Sequence, residues 1–434
     1  MGSLRSWWTL WAGAALLWGL TQEVTATPKN AGGMDFLATF LQNYQAGYSK
    51  ASLQLFISSL SENIATVSII SHADKTSQTV KVKPGQTVTV NITAEAEMSG
   101  TNTFMGAVEV HSDQNISVQA LNAKPSSADL TLLQPVSALG TEYFVVTPAD
   151  ISTRNVREFA VLAGSEGAEV SIHLKGAVTF KGKSYSAGSV LKVTLNSYES
   201  VQLQSKVDLS GSKVTANNPV AVFSGHSCAQ KHTKCDFVME QLLPISAWGK
   251  QYVVPPLAAQ SNYDLVYIVA SQTTNLTYNQ GGTPGSRVLQ MGDVFELQVK
   301  PKQPLTLSAD VGIQVVLFGT GAERNDVTYD PYLILIPDVE AYCPSYVIRS
   351  IPDSEDVVIL VVQTNDTSGL TMDGHKLGPT LTWVPVQGSQ FSYAEVDLST
   401  AEAIHKAEAT TNFGMLIFGL AQAVGLGTTA TCSE

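Results

Sequence analysis

Residues 221–237, AVFSGHSCAQKHTKCDF, hold several side chains that can do chemistry. An apolar stretch leads into G-H-S-C-A, which is similar to the G-x-S-x-G turn that presents the serine of a hydrolase. His226, Cys228, His232 and Cys235 lie within ten positions of one another, and both residue types bind zinc. The same two cysteines can also form a small disulfide loop. The segment therefore allows three hypotheses: a nucleophilic serine, a metal site or a disulfide.

The nucleophile hypothesis requires a parallel strand followed by a helix in βαβ surroundings. A helix over residues 229–243 is compatible with the local sequence. However, the corresponding segments of the repeats described below, LNAK, FGTGAE and FGLAQA, contain no serine. The four metal ligands have irregular spacing for one tetrahedral ion. We therefore predict a Cys228–Cys235 disulfide, and neither a catalytic residue nor a metal nor a cofactor. Ser227 and the metal site remain as alternatives.

The N-terminal residues MGSLRSWWTLWAGAALLWGL resemble a secretory signal peptide. Arg5 supplies a positive charge, and residues 7–20 form an apolar run that is shorter than the roughly 20 residues of a membrane-spanning helix. Cleavage is plausible between Gly19 and Ala26, so residues 1–26 are predicted to be removed. A second apolar stretch, 413–427, contains four glycines and Gln422, which favours a strand over a membrane anchor.

A net charge of −12 disfavours nucleic acid as a partner, because phosphates require a basic surface. Secretion implies an oxidising compartment, in which Cys343 and Cys432 pair by elimination. Cys432 could instead bridge to another chain. We expect N-linked glycans at the sequons of Asn91, Asn115, Asn275 and Asn365.

Three segments recur in the same order along the chain, which indicates internal duplication. A glycine turn before a strand appears as KPGQTVTVNI, SAGSVLKVTL, QMGDVFELQV and VQGSQFSYAEVDL. A second segment appears as SDQNISVQALN, ANNPVAVFSGH, ADVGIQVVLFGTG and TTNFGMLIFGLA. A third opens copies two to four as QPVSALGTEYFVV, LPISAWGKQYVV and IPDVEAYCPSYVI.

Apolar and polar residues alternate in these strands with period two, as in Val88, Val90 and Ile92, and this pattern marks a strand with one buried face. We predict an all-β protein of about four tandem antiparallel sandwich-like units of roughly 100 residues. The predicted units are 27–133 (with a leading helix), 134–242, 243–335 and 336–434. A closed ring of four units is possible, although about eight strands exceed an ordinary propeller blade. The leading helix follows from the i, i+4, i+8 spacing of Phe36, Leu37, Phe40, Leu41 and Tyr44.

Other candidate sites are weaker. Glu323, Asp326 and Asp330 could bind calcium, but a solvated loop explains them better. The histidines are scattered and have no obvious partners in the sequence.

Long strings in the chain carry a specific resemblance. They include the leader, VQALNAKPSSADLTLLQPVSALGTEYFVV, DLSGSKVTANNPVAVFSGHSCAQKH, QLLPISAWGKQYVVPPLAAQSNYDL and GIQVVLFGTGAERNDVTYDPYLILIPDVEAYCP. The chain resembles the N-terminal region of the IgG Fc-binding protein family, over essentially its whole length. The resemblance implies a secreted mucosal protein whose N-terminal region binds the Fc part of IgG. The family's long form continues into cysteine-rich von Willebrand type D units with a G-D-P-H motif, and G-D-P-H is absent from this chain.

We therefore predict a secreted, extracellular, non-enzymatic binding protein of mucus, with IgG Fc and mucins or other mucosal glycoproteins as candidate partners. The ligand-contacting residues cannot be assigned from sequence. The alternative is a structural glycoprotein component of mucus without IgG binding.

Overall fold

The computed structural model describes residues 32–44, 49–148, 151, 155–232, 234–324, 327–351, 354–377, 381–398 and 404–433. The predicted signal peptide, residues 1–26, lies outside this part. The described chain is all-β: antiparallel sheets dominate, and the helices are short 3₁₀ turns.

The first group of strands forms a seven-stranded sheet in the order β4-β3-β7-β2-β5, with β1 and β8 also paired to β7. Its elements are β1 (Gly33–Ala38), β2 (Ser52–Ser59), β3 (Ala65–Ser71), β4 (Thr76–Val82), β5 (Thr87–Ile92), η1 (Ala94–Ala96), β6 (Asn102–Phe104), β7 (Val108–Lys124) and β8 (Ser127–Leu132). Strand β6 pairs with the second group instead.

The second group forms the order β14-β11-β16-β10-β15-β6, with β9 and β17 also paired to β16 and a separate β12-β13 hairpin. Its elements are η2 (Val136–Ala138), β9 (Gly140–Phe144), β10 (Arg157–Ala163), β11 (Ala168–His173), β12 (Val178–Phe180), β13 (Lys183–Tyr185), β14 (Val190–Leu195), β15 (Ser200–Ser205), β16 (Lys213–Gln230) and β17 (Cys235–Gln241).

The third group forms two four-stranded sheets, β18-β23-β20-β21 and β22-β19-β24-β27, and a β25-β26 hairpin. Its elements are η3 (Ile245–Ala247), β18 (Gln251–Val254), β19 (Asp264–Ala270), β20 (Thr274–Gln280), β21 (Thr283–Leu289), β22 (Val294–Val299), β23 (Leu305–Ala309), β24 (Ile313–Gly319), β25 (Ala322–Arg324), β26 (Val327–Tyr329) and β27 (Tyr332–Leu335).

The fourth group forms a nine-stranded sheet, β31-β30-β34-β29-β33-β32 with β28, β35 and β36 alongside. Its elements are η4 (Val339–Ala341), β28 (Cys343–Arg349), β29 (Glu355–Gln363), η5 (Thr364–Gly369), β30 (Thr371–Met372), β31 (His375–Lys376), β32 (Val384–Pro385), β33 (Phe391–Asp397), β34 (Ile404–Ala421), β35 (Val424–Thr429) and β36 (Thr431–Cys432).

One long strand in the first, second and fourth groups crosses from one set of partner strands to another along its length. Strand β16 pairs with β9 and β11 through its first residues and with β10 and β17 through its last. The register shifts between Thr215 and Val220, where Pro219 has no N–H to donate. In the third group, the corresponding path is broken into β23 and β24 around Gly312. The second repeated sequence segment therefore marks the point at which the strand changes partners.

In three groups, a buried tyrosine of the first strand is hydrogen-bonded to the backbone near this crossing. The hydroxyls of Tyr143, Tyr252 and Tyr346 each accept a hydrogen bond from the backbone N–H three residues earlier. They donate to the carbonyl oxygens of Val220, Ile313 and Phe413 over 2.6, 2.5 and 2.6 Å. Phe36 holds the corresponding position in β1. The four groups thus share a detailed local structure, whereas their boundaries as folding units remain a prediction.

The predicted N-terminal helix is wrong. Residues Gly33–Ala38 form β1, which pairs antiparallel with β7. Phe36 and Leu37 are both buried, because Phe36 lies against Pro135 and Leu37 lies beside Gly164 of the second group. Burial on both faces of a strand produced an apolar spacing that imitates a helix.

The glycine-turn alignment is wrong in the second copy. Gly85, Gly292 and Gly388 have φ of 63°, 75° and 78° in turns that precede β5, β22 and β33. These strands pair with β2, β19 and β29. The corresponding strand of the second group is β15, which pairs with β10, and the residue in its turn is Tyr198 with φ 60°. Gly188 instead precedes β14, which pairs with β11.

The four groups close into a circuit. Strand β8 contacts β17 and β35, and β27 contacts the same two strands. Hydrophobic clusters span the boundaries between neighbouring groups, including the one between the fourth and the first, where Phe56 and Leu130 pack with Ile348 and Met415. A closed ring of four units, which is considered possible from the sequence, is therefore compatible with units that have more strands than a four-stranded propeller blade.

Candidate functional site

Ser227 lies within a sheet and is not on a nucleophile turn. It is 3% exposed in β16, and its hydroxyl accepts a hydrogen bond from the N–H of Val156. The chain continues as strand to Gln230 and returns as β17, Cys235–Gln241, so the helical alternative for residues 229–243 is wrong. The strand–turn–helix arrangement of a hydrolase is not formed here.

The structure pairs Cys228 with Cys235 and Cys343 with Cys432, at Cα separations of 5.1 and 5.8 Å. His226 Nδ1 accepts from the N–H of Cys228 over 3.0 Å, and the ring of His232 contacts Tyr263 edge-on. Among the described residues, no cluster of three or more His, Cys, Asp or Glu side chains could hold a metal ion. The calcium candidate Asp326 lies outside them, and Asp330 is buried.

The second disulfide replaces a close contact that the other groups share. The third residue after the end of β8 is Pro135, after β17 it is Pro244, and after β27 it is Asp338. The corresponding residue after β35 is Cys432. In the first three groups this residue packs on a glycine; a Cβ added to Gly33 or Gly140 would lie 2.5 Å from the proline Cβ. Cys343 takes the glycine position in the fourth group, so a covalent bond joins the two positions.

Side chains bridge the inner strands of neighbouring groups. Asp129 Oδ2 accepts from the N–H groups of Met239 and Leu333 over 2.9 and 3.3 Å. Asp236 accepts from the N–H of Ala128 over 3.0 Å, and Glu240 accepts from that of Leu335 over 3.3 Å. These contacts join β8, β17 and β27, where no backbone ladder forms between the groups.

Burial raises the pKa values of the bridging carboxyls because water no longer solvates the charged form. The pKa is raised to about 8 for Glu240 and well above the usual range for Asp129 and Asp236. The charge of Glu240 raises the pKa of Asp129 further, and the charge of Asp330 raises the pKa of Asp236 further. An adjacent cavity of about 100 Å³ is lined mostly by apolar side chains, together with Glu240, Asp338, Gln134 and Thr429, and is too small for most ligands. The carboxyls are therefore best explained as structural.

Open grooves lie where the groups meet. The first junction groove, about 220 Å³, runs over the outer side of β1, β7 and β3 beneath the Tyr198 turn of the second group. Its lining includes Asp35, Ile70, Glu109, His111, Val136 and Tyr198. The third junction groove, about 690 Å³, has the same arrangement over β18, β23 and β20 beneath the Gly388 turn of the fourth group. At the second junction, buried Phe144 packs against Gly292 instead.

Two histidine–carboxylate pairs occupy the first junction groove and its edge. His72 Nε2 lies 2.7 Å from Glu109, and His111 Nδ1 lies 2.5 Å from Asp35. The ring of His72 stacks on Tyr198 with centroids 4.4 Å apart. The hydrogen bond to Glu109 raises the pKa of Tyr198 to about 12. Sequence reasoning missed these pairs because their members lie 37 and 76 positions apart.

The predicted glycosylation sites are accessible to different degrees. Asn91, Asn275 and Asn365 are exposed, and Asn115 is half-buried. Their modification remains a prediction.

Comparison with known proteins assigns the chain to a family. The sequence model of the family described as IgGFc binding protein matches residues 129–419. The chain belongs to this family. It is 66% identical over all 434 residues to the human IgGFc-binding protein, although it spans only 8% of that protein's length.

Solved structures give only a distant likeness. A Ca²⁺-stabilised adhesin by which an Antarctic bacterium binds ice has 9% identity and a TM-score of 0.13, and the match covers 93% of this chain and 99% of that one. A 1.5-MDa bacterial ice-binding adhesin has 10% identity and a TM-score of 0.11, over 68% and 97% of the two chains. In the described part of the chain, no helix has the length and apolar character to cross a bilayer.

Proposed function

We propose that this chain is a secreted, non-enzymatic protein of mucosal surfaces that binds the Fc part of IgG. The 66% identity to the human IgGFc-binding protein carries the proposal. The signal-like leader, the four sequons and the paired cysteines support secretion. The buried position of Ser227 supports a binding role over hydrolysis.

We place the Fc contact at the first junction groove. The groove is lined by the Tyr198 ring, the His111–Asp35 pair and the exposed apolar side chains of Ile70 (39%) and Val136 (37%). It is also lined by Glu109, which pairs with His72 at the edge. Protein interfaces favour aromatic anchors surrounded by polar groups. The imidazole–carboxylate pairs can exchange hydrogen bonds with backbone or side-chain groups of a partner.

The conformation of Tyr198 supports this choice. Its φ of 60° lies in the left-handed region, where the other three groups have glycine. A side chain in this region costs about 1 kcal/mol. Strained residues of this kind often occur at functional sites. In this conformation the phenol ring stacks on His72 at the groove wall.

The substitution Tyr198→Gly tests the site, because it keeps the turn and removes the ring. We expect the variant to fold with nearly unchanged thermal stability and to bind immobilised human IgG Fc at least about tenfold more weakly, a change of about 1.4 kcal/mol. Gln387→Ala, in the equivalent turn of the fourth group, should bind like the wild type.

The possible results distinguish a wrong contact site from a wrong function. Unchanged binding by folded Tyr198→Gly would place the Fc contact elsewhere. Absence of saturable Fc binding by the wild-type chain would contradict the function itself. Stable association of the chain with mucin gels without IgG would then favour a structural role in mucus.

A further inference from the structure

The outer face of the β18-β23-β20-β21 sheet carries no charged side chain in its central rows. Thr277 of β20 pairs with Ser308 of β23 and Ser286 of β21, and Ser308 pairs with Gln251 of β18. The next row along is Val253, Thr306, Asn279 and Pro284. Uncharged side chains, most of them with hydroxyl or amide groups, therefore form the floor of the third junction groove.

The wall of this groove comes from the fourth group. Gly388, Ser389, Gln390 and Phe391 line it together with Val339, and none of the groove's lining residues is charged. The groove is closed at Gly388, where an added Cβ would lie 2.6 Å from Asn279 Nδ2. A surface of this composition suits a neutral, polyhydroxylated ligand, because such a ligand offers hydrogen bonds and no charge.

A sequon lies at the other end of the groove. Asn275 is exposed on β20, and Thr277, the third residue of its sequon, is itself part of the lining. Alternate residues of a strand share a face and lie about 6.6 Å apart. Asn275 therefore lies on the groove face, beside its floor.

We propose that an N-linked glycan on Asn275 lies in the third junction groove and joins the third and fourth groups. In the modification, Asn275 Nδ2 bonds to the anomeric carbon of a glycosyl diphosphate donor, the bond from that carbon to the phosphate oxygen breaks, and the amide proton leaves with the diphosphate. The first sugars then hydrogen-bond to the Gln251, Ser308 and Gln390 side chains. This inference depends on secretion but not on Fc binding.

Site-specific mass spectrometry and hydrogen exchange on the secreted protein test the proposal. We expect a glycan at Asn275, and exchange of the backbone amides of residues 386–391 at least about fivefold faster in Asn275→Gln than in the wild type. Asn365→Gln, which removes a glycan site in η5, should exchange like the wild type. An unmodified Asn275, or equal exchange in wild type and Asn275→Gln, would overturn the proposal.

Discussion

Raising the pH from about 5 to about 8 lowers the free energy of unfolding of this protein, with about 3 kcal/mol of the loss due to Glu240 alone. Burial raises the pKa of Glu240 to about 8 in the folded chain, whereas its pKa in the unfolded chain is near the usual 4.5. Between these values the folded state binds more protons than the unfolded state. Stability therefore falls as the pH rises through this window.

The environment of Glu240 specifies the test. Its carboxyl faces Thr131 of β8 and the N–H of Leu335 of β27, with the carboxyl of Asp129 nearby. Glu240→Gln keeps the shape and the acceptor but cannot ionise, so urea unfolding of this variant should lose much less stability between the two pH values. The exposed Glu296→Gln should follow the wild type. Equal pH dependence in wild type and Glu240→Gln would show that Glu240 ionises normally in the folded protein.

Removing the Cys343–Cys432 bond by substituting alanine at both positions will cost about 4.5 kcal/mol of stability on the chain-entropy model. The bond spans 89 positions, whereas Cys228–Cys235 spans 7 and its removal should cost about 2.5 kcal/mol. Guanidinium unfolding of both double-alanine variants at one pH measures the difference.

The other groups supply a matched replacement. Cys343→Gly with Cys432→Pro installs the residue pair found at Gly33–Pro135 and Gly140–Pro244. This variant should recover part of the loss, since it restores the close contact without the covalent link. A smaller loss for the Cys343–Cys432 pair than for Cys228–Cys235 would show that loop length does not govern stability here.

Local patterns predicted many strands well. The alternation in SVLKVTL predicts a strand over 190–195, and β14 occupies Val190–Leu195 with alternate residues buried. Prediction failed where a neighbouring group decides the outcome. Leu37 is buried by the second group, and Tyr198 takes a turn position that sequence comparison assigns to glycine.

The candidate sites were less predictable, for the same physical reason. Cys228 and Cys235 are close in sequence, so their pairing follows from local reasoning. The His72–Glu109 pair and the Asp129 bridge to Leu333 join residues 37 and 204 positions apart. Only the tertiary structure brings such residues together.

The closed circuit of β8, β17, β27 and β35 has a mechanical consequence. Modules in an open array can unfold one after another when the array is stretched or attacked by proteases, because the terminal module contacts only one neighbour. In a closed circuit, unfolding any one group breaks its contacts with two neighbouring groups at once. The molecule should therefore resist tension and digestion as a single body.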